Sequence, residues 1–177
     1  MKKVIYFALS ALFLVSCGKA KEEKQETETQ PETATKQPDR YSVVIDAIYE
    51  KNDSISVVLQ QKGYFVYDKV ITKKITGAPG FQRIEMLVPE GETFENIGCM
   101  VSSNKEQKGV TISNISVMQN GSVILDGSAS KFGEYFLFDE SFKIDKFDGK
   151  SFKYFLTQSN KYPPGIRGND KFLQLFK

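Results

Sequence analysis

The stretch that decides the fold runs from Gly109 to Gly127 and reads GVTISNISVMQNGSVILDG. Its first half alternates β-branched or apolar residues with polar ones, which is the period-two pattern of a strand with one buried face. Asn120-Gly121 interrupts the pattern, and Asn-Gly between two apolar runs is a strong signal for a tight antiparallel turn. The sequence therefore predicts a β-hairpin here and an antiparallel sheet around it.

Strand-like segments continue on the N-terminal side of this hairpin. In YSVVIDAIYE every second residue from Tyr41 to Tyr49 is apolar, which predicts one buried face. The segment SISVVLQQ follows after Lys51-Asn52-Asp53, a connection that predicts a hairpin between the two strands. We therefore expect these two strands to pair with each other.

Two further segments between Phe81 and the hairpin read as strands. In FQRIEMLVPE the more apolar face carries Ile84, Met86 and Val88, and it should turn inward. The next segment, ENIGCMVSS, is an apolar run that places Cys99 in the core as a buried, inert thiol. Strands at this spacing predict an all-β fold with a single β-sandwich, either jelly-roll or immunoglobulin-like.

The C-terminal third is rich in phenylalanine, and its seven phenylalanines from Phe132 to Phe155 are expected to be core. The segment DGKSFKYFLTQSN, residues 148–160, is the best helix candidate, which adds one short helix near the C-terminus. The last segment, KFLQLFK, residues 171–177, is expected to close the sheet as a strand.

The N-terminus has the features of an export signal. Lys2 and Lys3 precede an apolar run from Val4 to Val15, which is too short to span a bilayer as a helix. The run ends at Cys17, and the following residues 18–40 contain no Val, Ile, Leu, Met or aromatic residue, a composition that predicts disorder.

This junction, Leu14-Val15-Ser16-Cys17, resembles the lipobox of bacterial lipoproteins. The resemblance implies that Cys17 carries lipid and is the first residue of the mature chain. It divides the protein into a signal peptide (1–16), a lipidated cysteine with a disordered tether (17–40) and a β-sandwich domain (41–177). Two or three acyl chains are sufficient for stable membrane anchoring.

Lys21-Glu22-Glu23 is similar to the surface-export signal of lipoproteins of the Bacteroidota type. The resemblance implies a lipid-anchored protein of the bacterial cell envelope, at the outer membrane, with surface display and a periplasmic orientation as the two alternatives.

The segments GFQRIEMLVPE and NKEQKGVTISNISV resemble parts of uncharacterised β-sandwich domains in envelope proteins of the same bacterial type. Such domains are compared with galactose-binding-like jelly rolls. The resemblance supports the fold, and neither segment carries known chemistry.

Composition excludes several kinds of chemistry. The chain has no histidine, which removes His-based triads and His-ligated metals, and its formal net charge is only +2. We therefore predict no enzymatic activity, no cofactor, no metal site and no nucleic-acid partner. A carboxylate-dependent glycoside hydrolase needs only two acids, so it stays an alternative. It is less favoured than a binding module.

The candidate ligand-binding residues lie in one unusual loop, NKYPPGIRGND. Two prolines stiffen this loop, and it offers one aromatic ring and three polar side chains: Tyr162, Arg167, Asn169 and Asp170. Separately, Asp53-Ser54-Ile55 resembles an O-glycosylation sequon of exported Bacteroidota proteins, which makes Ser54 a candidate modification site in the predicted first turn.

These observations predict a membrane-anchored envelope lipoprotein whose β-sandwich is a binding or interaction module, with carbohydrate or an envelope protein as ligand. The alternative is a structural subunit of an envelope protein assembly.

Overall fold

The computed structural model describes residues 38–128, 130–140, 142–156 and 165–176. The predicted signal peptide and most of the predicted tether, residues 1–37, lie outside this range. The described residues form twelve strands, two short α-helices and a 3-10 helix at Tyr67–Lys69. In chain order, the strands and helices are β1 Tyr41–Tyr49, β2 Asp53–Gln61, β3 Tyr64–Phe65, β4 Ile71–Ile75, β5 Gln82–Leu87, β6 Asn96–Met100, β7 Gly109–Gln119, β8 Ser122–Leu125, α1 Phe132–Tyr135, β9 Phe136–Phe138, β10 Phe142–Phe147, β11 Phe152–Leu156, β12 Ile166–Gly168 and α2 Asp170–Leu175.

The strands form two antiparallel sheets packed face to face, so the predicted β-sandwich is confirmed. The first sheet has the order β10-β11-β7-β1-β5, with β8 also paired to β7. The second sheet has the order β3-β2-β6-β12-β9, with β4 also paired to β2. Each sheet has one apolar face, and burying the two faces against each other removes both from water.

The inner faces of both sheets contribute to a single hydrophobic cluster. The predicted inward face of β1, from Tyr41 to Tyr49, packs in or against this cluster, and so do Ile84, Met86 and Val88. Cys99 is a free, buried cysteine as expected, and burial raises the pKa of its thiol to about 12. The largest fully buried side chains are Tyr49, Tyr154, Phe132, Phe172, Ile45, Ile55, Leu59, Ile97, Ile112, Ile115, Leu125 and Ile166.

The hairpin predicted from Asn120-Gly121 is confirmed. Strands β7 and β8 are antiparallel, with Gln119 directly opposite Ser122. Asn120 has φ 51° and Gly121 has φ 81°, and two positive φ values are what a type I′ turn requires. The turn type is therefore encoded locally, by two residues that tolerate this backbone conformation.

The predicted hairpin between β1 and β2 is wrong. Strand β1 pairs with β5 and β7 in the first sheet, whereas β2 pairs with β3, β4 and β6 in the second. The chain therefore crosses between sheets at Lys51-Asn52. Both strands are apolar enough to lie inside a sheet. The crossing places β1 in the first sheet and β2 in the second, and the inner faces of both strands contribute to the hydrophobic cluster.

The two predictions for the C-terminal segments are also wrong in detail, although a short C-terminal helix is present. Within the predicted helix 148–160, Phe152–Leu156 forms strand β11, because β8 is short and leaves half of one edge of β7 for another strand to pair with. Aromatic residues at alternate positions suit that role. The segment expected to close the sheet contains helix α2 instead, in which Phe172 is buried and stacks on Phe176 at 4.8 Å.

Among the phenylalanines of the C-terminal segment whose burial the structure describes, the predicted core position is confirmed with one exception. Phe132 and Phe136 are buried, and Phe138, Phe142 and Phe152 pack partly buried against the cluster. Phe147, by contrast, is 49% exposed.

Candidate functional site

The four predicted ligand-binding residues have different positions and tasks. Tyr162 falls in residues 157–164, outside the described part of the chain. Arg167 lies in the middle of β12, half-buried between Gly98 of β6 and Leu137 of β9. Asp170 is exposed in the first turn of α2.

Asn169 has a structural task that the sequence did not reveal. Its Oδ1 accepts hydrogen bonds from the backbone N–H groups of Lys171 at 2.9 Å and Phe172 at 3.1 Å, so it is the N-cap of α2. Its Nδ2 donates to the backbone oxygen of Glu134 at 2.9 Å. The amide is therefore committed to joining α1 to α2, and the described residues of the proline loop do not form a set of free polar groups.

Ser54 lies in strand β2, opposite Lys74 of β4, and not in a turn as predicted. It is half-buried, and its hydroxyl lies 2.5 Å from the hydroxyl of Ser103. O-glycosylation at Ser54 stays a prediction, and a glycan there would replace this contact.

A groove at one end of the sandwich is a stronger candidate for ligand binding. It encloses about 560 Å³ and is lined by three separate chain segments. Gln61 is the last residue of β2 and Lys62 begins the turn after it, Thr93 to Glu95 precede β6, and Phe176 follows α2.

The floor of the groove is aromatic. The ring centroids of Phe94 and Phe176 are 4.9 Å apart, and Tyr41 meets Phe94 edge-on at 5.3 Å. Phe94 is buried and belongs to the hydrophobic cluster, so the floor is continuous with the core. Rings held in this way form a fixed apolar surface that a ligand meets without having to order it.

The wall around Lys62 is rigid for two local reasons. Lys62 (φ 51°) and Gly63 (φ 80°) form a tight turn between Gln61 and Tyr64, which face each other across β2 and β3. The carboxylate of Glu95 accepts the backbone N–H of Lys62 at 3.0 Å and of Gly63 at 2.9 Å.

Among the described residues that line this groove, Glu95 is the one with a carboxylate. Both of its oxygens accept the turn N–H groups, so it stabilises the wall and is poorly placed to act as a general acid or base. Glu92 lies nearby but is held by Lys69 at 2.6 Å, and hydrogen bonds from Lys69 and Gln61 lower the pKa of its carboxyl. The groove thus combines an aromatic floor with polar side chains at the rim, an arrangement that suits binding better than two-carboxylate hydrolysis.

A second concavity, of about 430 Å³, lies beside Asp53. The Asp53 carboxylate accepts backbone N–H bonds from Ser54, Ser103 and Asn104 at 2.7–2.9 Å, and the Ser102 hydroxyl at 2.5 Å. A carboxylate surrounded by donors holds the loop before β7 against β2 and leaves little lone-pair capacity for a ligand. Within the described residues, no group of three or more acidic or cysteine side chains is placed to hold a metal ion.

Sequence reasoning missed the groove because none of its three segments is unusual alone. Lys62-Gly63 is a turn signal, Phe94 is an isolated aromatic, and Phe176 was assigned to a strand. The site exists only when the fold brings residues 61–62, 93–95 and 176 together.

The fold class defined by the described residues is a β-sandwich with an aromatic-floored groove at one end. No protein-family model, no curated protein and no solved structure matches this chain. In the part of the chain described here, no helix has the length and apolar character needed to cross a membrane.

Proposed function

We propose that this chain is a lipid-anchored lipoprotein of the bacterial outer membrane whose β-sandwich is a binding module. The lipobox-like junction at Cys17 supports the anchor, and the composition of residues 18–40 supports a flexible tether. The groove over Phe94 and Phe176 is the single observation that supports binding as the task of the domain.

Carbohydrate is the ligand class that fits this groove best. The C–H faces of a sugar pack on aromatic rings, and its hydroxyl groups need donors and acceptors around the rim. The Gln61 amide, the Lys62 ammonium and the Thr93 hydroxyl belong to residues that line the groove. Gln61 is held in place by bonds from its Nε2 to Glu92 at 2.9 Å and to the Thr93 oxygen at 2.6 Å.

A glycan array probed with residues 36–177 tests this proposal. These residues form one compact unit that contains every member of the hydrophobic cluster. We expect selective binding that falls about tenfold or more in Phe176→Ala, because the truncation removes half of the aromatic floor and ring burial of this kind is worth more than 1 kcal/mol.

Phe81→Ala is the matched control for that experiment. Phe81 is 53% exposed and does not line the groove, so the same truncation there should leave binding unchanged. Arg167→Ala tests the proline-loop site instead. A silent array from a folded domain, or equal losses in the two phenylalanine variants, would exclude the groove as a carbohydrate site.

A specific observation also favours the second candidate function, a structural subunit of an envelope assembly. Leu87, Ser42, Met118 and Val123 form one row across β5, β1, β7 and β8 on the outer face of the first sheet. Leu87 is 70% and Val123 is 56% exposed. If this row packs on another protein, cross-linking from position 87 in intact cells should capture a defined partner. The groove variant Phe176→Ala should leave the yield of that cross-link unchanged.

A further inference from the structure

The hairpin of β10 and β11 forms one edge of the first sheet. Strand β10 pairs with β11, and within the described residues nothing pairs with its other edge. Every residue from Lys143 to Phe147 is exposed, although this stretch contains two large apolar side chains. This strand is therefore one of the places where the sandwich presents apolar groups to its surroundings.

The apolar side of the strand carries Ile144 and Phe147. Ile144 is opposite Tyr154 and Phe147 is opposite Phe152, so both extend from the core-facing side of the hairpin beyond the end of the core. They are 58% and 49% exposed. Phe147 stacks on Phe152 with centroids 4.4 Å apart and ring planes at 20°, so one face of its ring is held while much of the side chain stays open to solvent.

The other side of the hairpin is basic. Lys146 lies directly opposite Lys153, and Lys143 precedes Lys146 on strand β10. Lys153 alternates with the buried Tyr154, which places these lysines on the outer face of the sheet. No described residue forms an ion pair with any of the three. Like charges directly opposite each other destabilise a strand pair, so an external anion would relieve a repulsion built into the hairpin.

The two acids of the hairpin, Asp145 and Asp148, offset only part of its positive charge. Asp148 accepts the backbone N–H groups of Lys150 at 2.9 Å and Ser151 at 2.7 Å, which fixes the turn. Asp145 lies at the register shift between Ile144 and Lys146 and has no directly opposite partner on β11. Lys150, exposed in the turn itself, adds a fourth positive charge at the tip.

A bulged edge strand rich in lysine is a poor template for adding another strand. Bulges and edge lysines are devices that prevent edge-to-edge pairing. The hairpin fits the surface of a bilayer instead. Its apolar, aromatic side suits the acyl boundary, and its lysines suit anionic lipid headgroups.

We propose that the β10–β11 hairpin docks the domain on the surface of an anionic lipid bilayer, with Phe147 and Ile144 at the acyl boundary and Lys143, Lys146 and Lys153 among the headgroups. This inference goes beyond the proposed function and does not need lipidation at Cys17. A lipid anchor on the same chain would raise the local bilayer concentration and allow a weak surface contact to persist.

The chain has no tryptophan, so a single introduced one reports directly on its surroundings. In residues 36–177, Phe147→Trp places the probe on the hairpin and keeps an aromatic ring over Phe152. Tyr64→Trp is the control, because Tyr64 is 79% exposed in β3, on the second sheet and away from the hairpin. With vesicles of equal parts phosphatidylglycerol and phosphatidylcholine, we expect the emission at position 147 to shift to shorter wavelength and that at position 64 to stay unchanged.

Charge-matched variants complete the experiment. In vesicle sedimentation, Lys143→Gln with Lys146→Gln should weaken binding about 25-fold, since a lysine near an anionic surface contributes about fivefold. Lys73→Gln with Lys74→Gln removes the same charge from β4 of the second sheet, where both side chains are exposed, and should leave binding unchanged. Ile144→Ser should weaken binding without altering the circular dichroism spectrum, because the side chain is mostly exposed.

Three results would overturn the proposal. They are absence of sedimentation with the anionic vesicles, equal losses in the two lysine pairs, and equal spectral shifts at positions 147 and 64. Binding to pure phosphatidylcholine of the same strength would also count against it, because the lysines would then have no part.

Discussion

At the scale of single residues, two buried tyrosines show how much depends on one hydroxyl group. Tyr49 of β1 donates to the backbone oxygen of Val101 at 2.7 Å and so links the two sheets. Tyr154 of β11 is equally buried, yet its hydroxyl has no hydrogen-bond partner among the described residues. Burial raises the pKa of both phenols above its usual value, so both hydroxyls are protonated at neutral pH and their difference lies in hydrogen bonding.

The two conservative variants should therefore have opposite effects. Tyr49→Phe leaves a buried acceptor without this donor and should lower the free energy of unfolding by about 1–3 kcal/mol. Tyr154→Phe removes an unsatisfied hydroxyl from an apolar site and should raise it by about 1 kcal/mol or leave it unchanged. Urea titrations of residues 36–177 measure both. A loss in Tyr154→Phe equal to that in Tyr49→Phe would mean that the Tyr154 hydroxyl is hydrogen-bonded after all.

At the scale of elements, what could be predicted was what the local sequence encodes. The β7–β8 hairpin follows from Asn120-Gly121, because positive φ at both positions is a property of those two residues. The inward faces of β1 and β5 follow from their period-two alternation. The pairing partners of β1 do not follow from its local sequence, since pairing depends on which distant strands have an unpaired edge. The same holds for β11, which pairs with the part of the β7 edge that β8 does not cover.

Helix α2 supports the candidate groove, and its N-cap can be removed. Asn169→Ala deletes the side-chain acceptor of two N–H groups and the donor to Glu134, and should lower the free energy of unfolding by about 1–2 kcal/mol. Because Phe176 follows this helix, ligand affinity in the groove should fall too. Asp170→Ala, one residue further, is the control: Asp170 is exposed and accepts neither N–H, so stability should change by less than about 0.5 kcal/mol.

Should Asn169 instead bind a ligand directly, as its position in the proline loop predicted, its replacement would reduce affinity without reducing stability. Thermal melting with and without ligand separates these two roles, since the cap affects the unliganded domain and a ligand contact does not.

At the scale of the whole molecule, the two proposed surfaces lie on different parts of the sandwich. The groove is built from the β2–β3 turn, the loop before β6 and the end of α2, and the basic hairpin is the β10 edge of the first sheet. Neither could be derived from one stretch of sequence, because each depends on which strands end up at an edge and which loops meet at an end. A domain with separate surfaces for ligand and bilayer would bind its ligand while it lies on the membrane.

The proposed lipid anchor concerns the whole chain, which has two cysteines, and of these Cys17 is the proposed site of acylation. Cys99 is buried in the core and cannot be acylated in the folded domain. Cys17 follows the apolar run, and two or three acyl chains there would hold the protein in the membrane fraction. Cells grown with an alkyne fatty acid should therefore label the wild-type chain and the Cys99→Ala control, and the mature wild-type chain should begin at residue 17 by mass. Cys17→Ser should lose the label and should leave the membrane fraction in a high-salt wash, because only the weaker, salt-sensitive contact of the hairpin would remain. Label that persists in Cys17→Ser, or a mature chain that begins elsewhere, would remove the lipid anchor, and the hairpin would then be the remaining proposed contact with a bilayer.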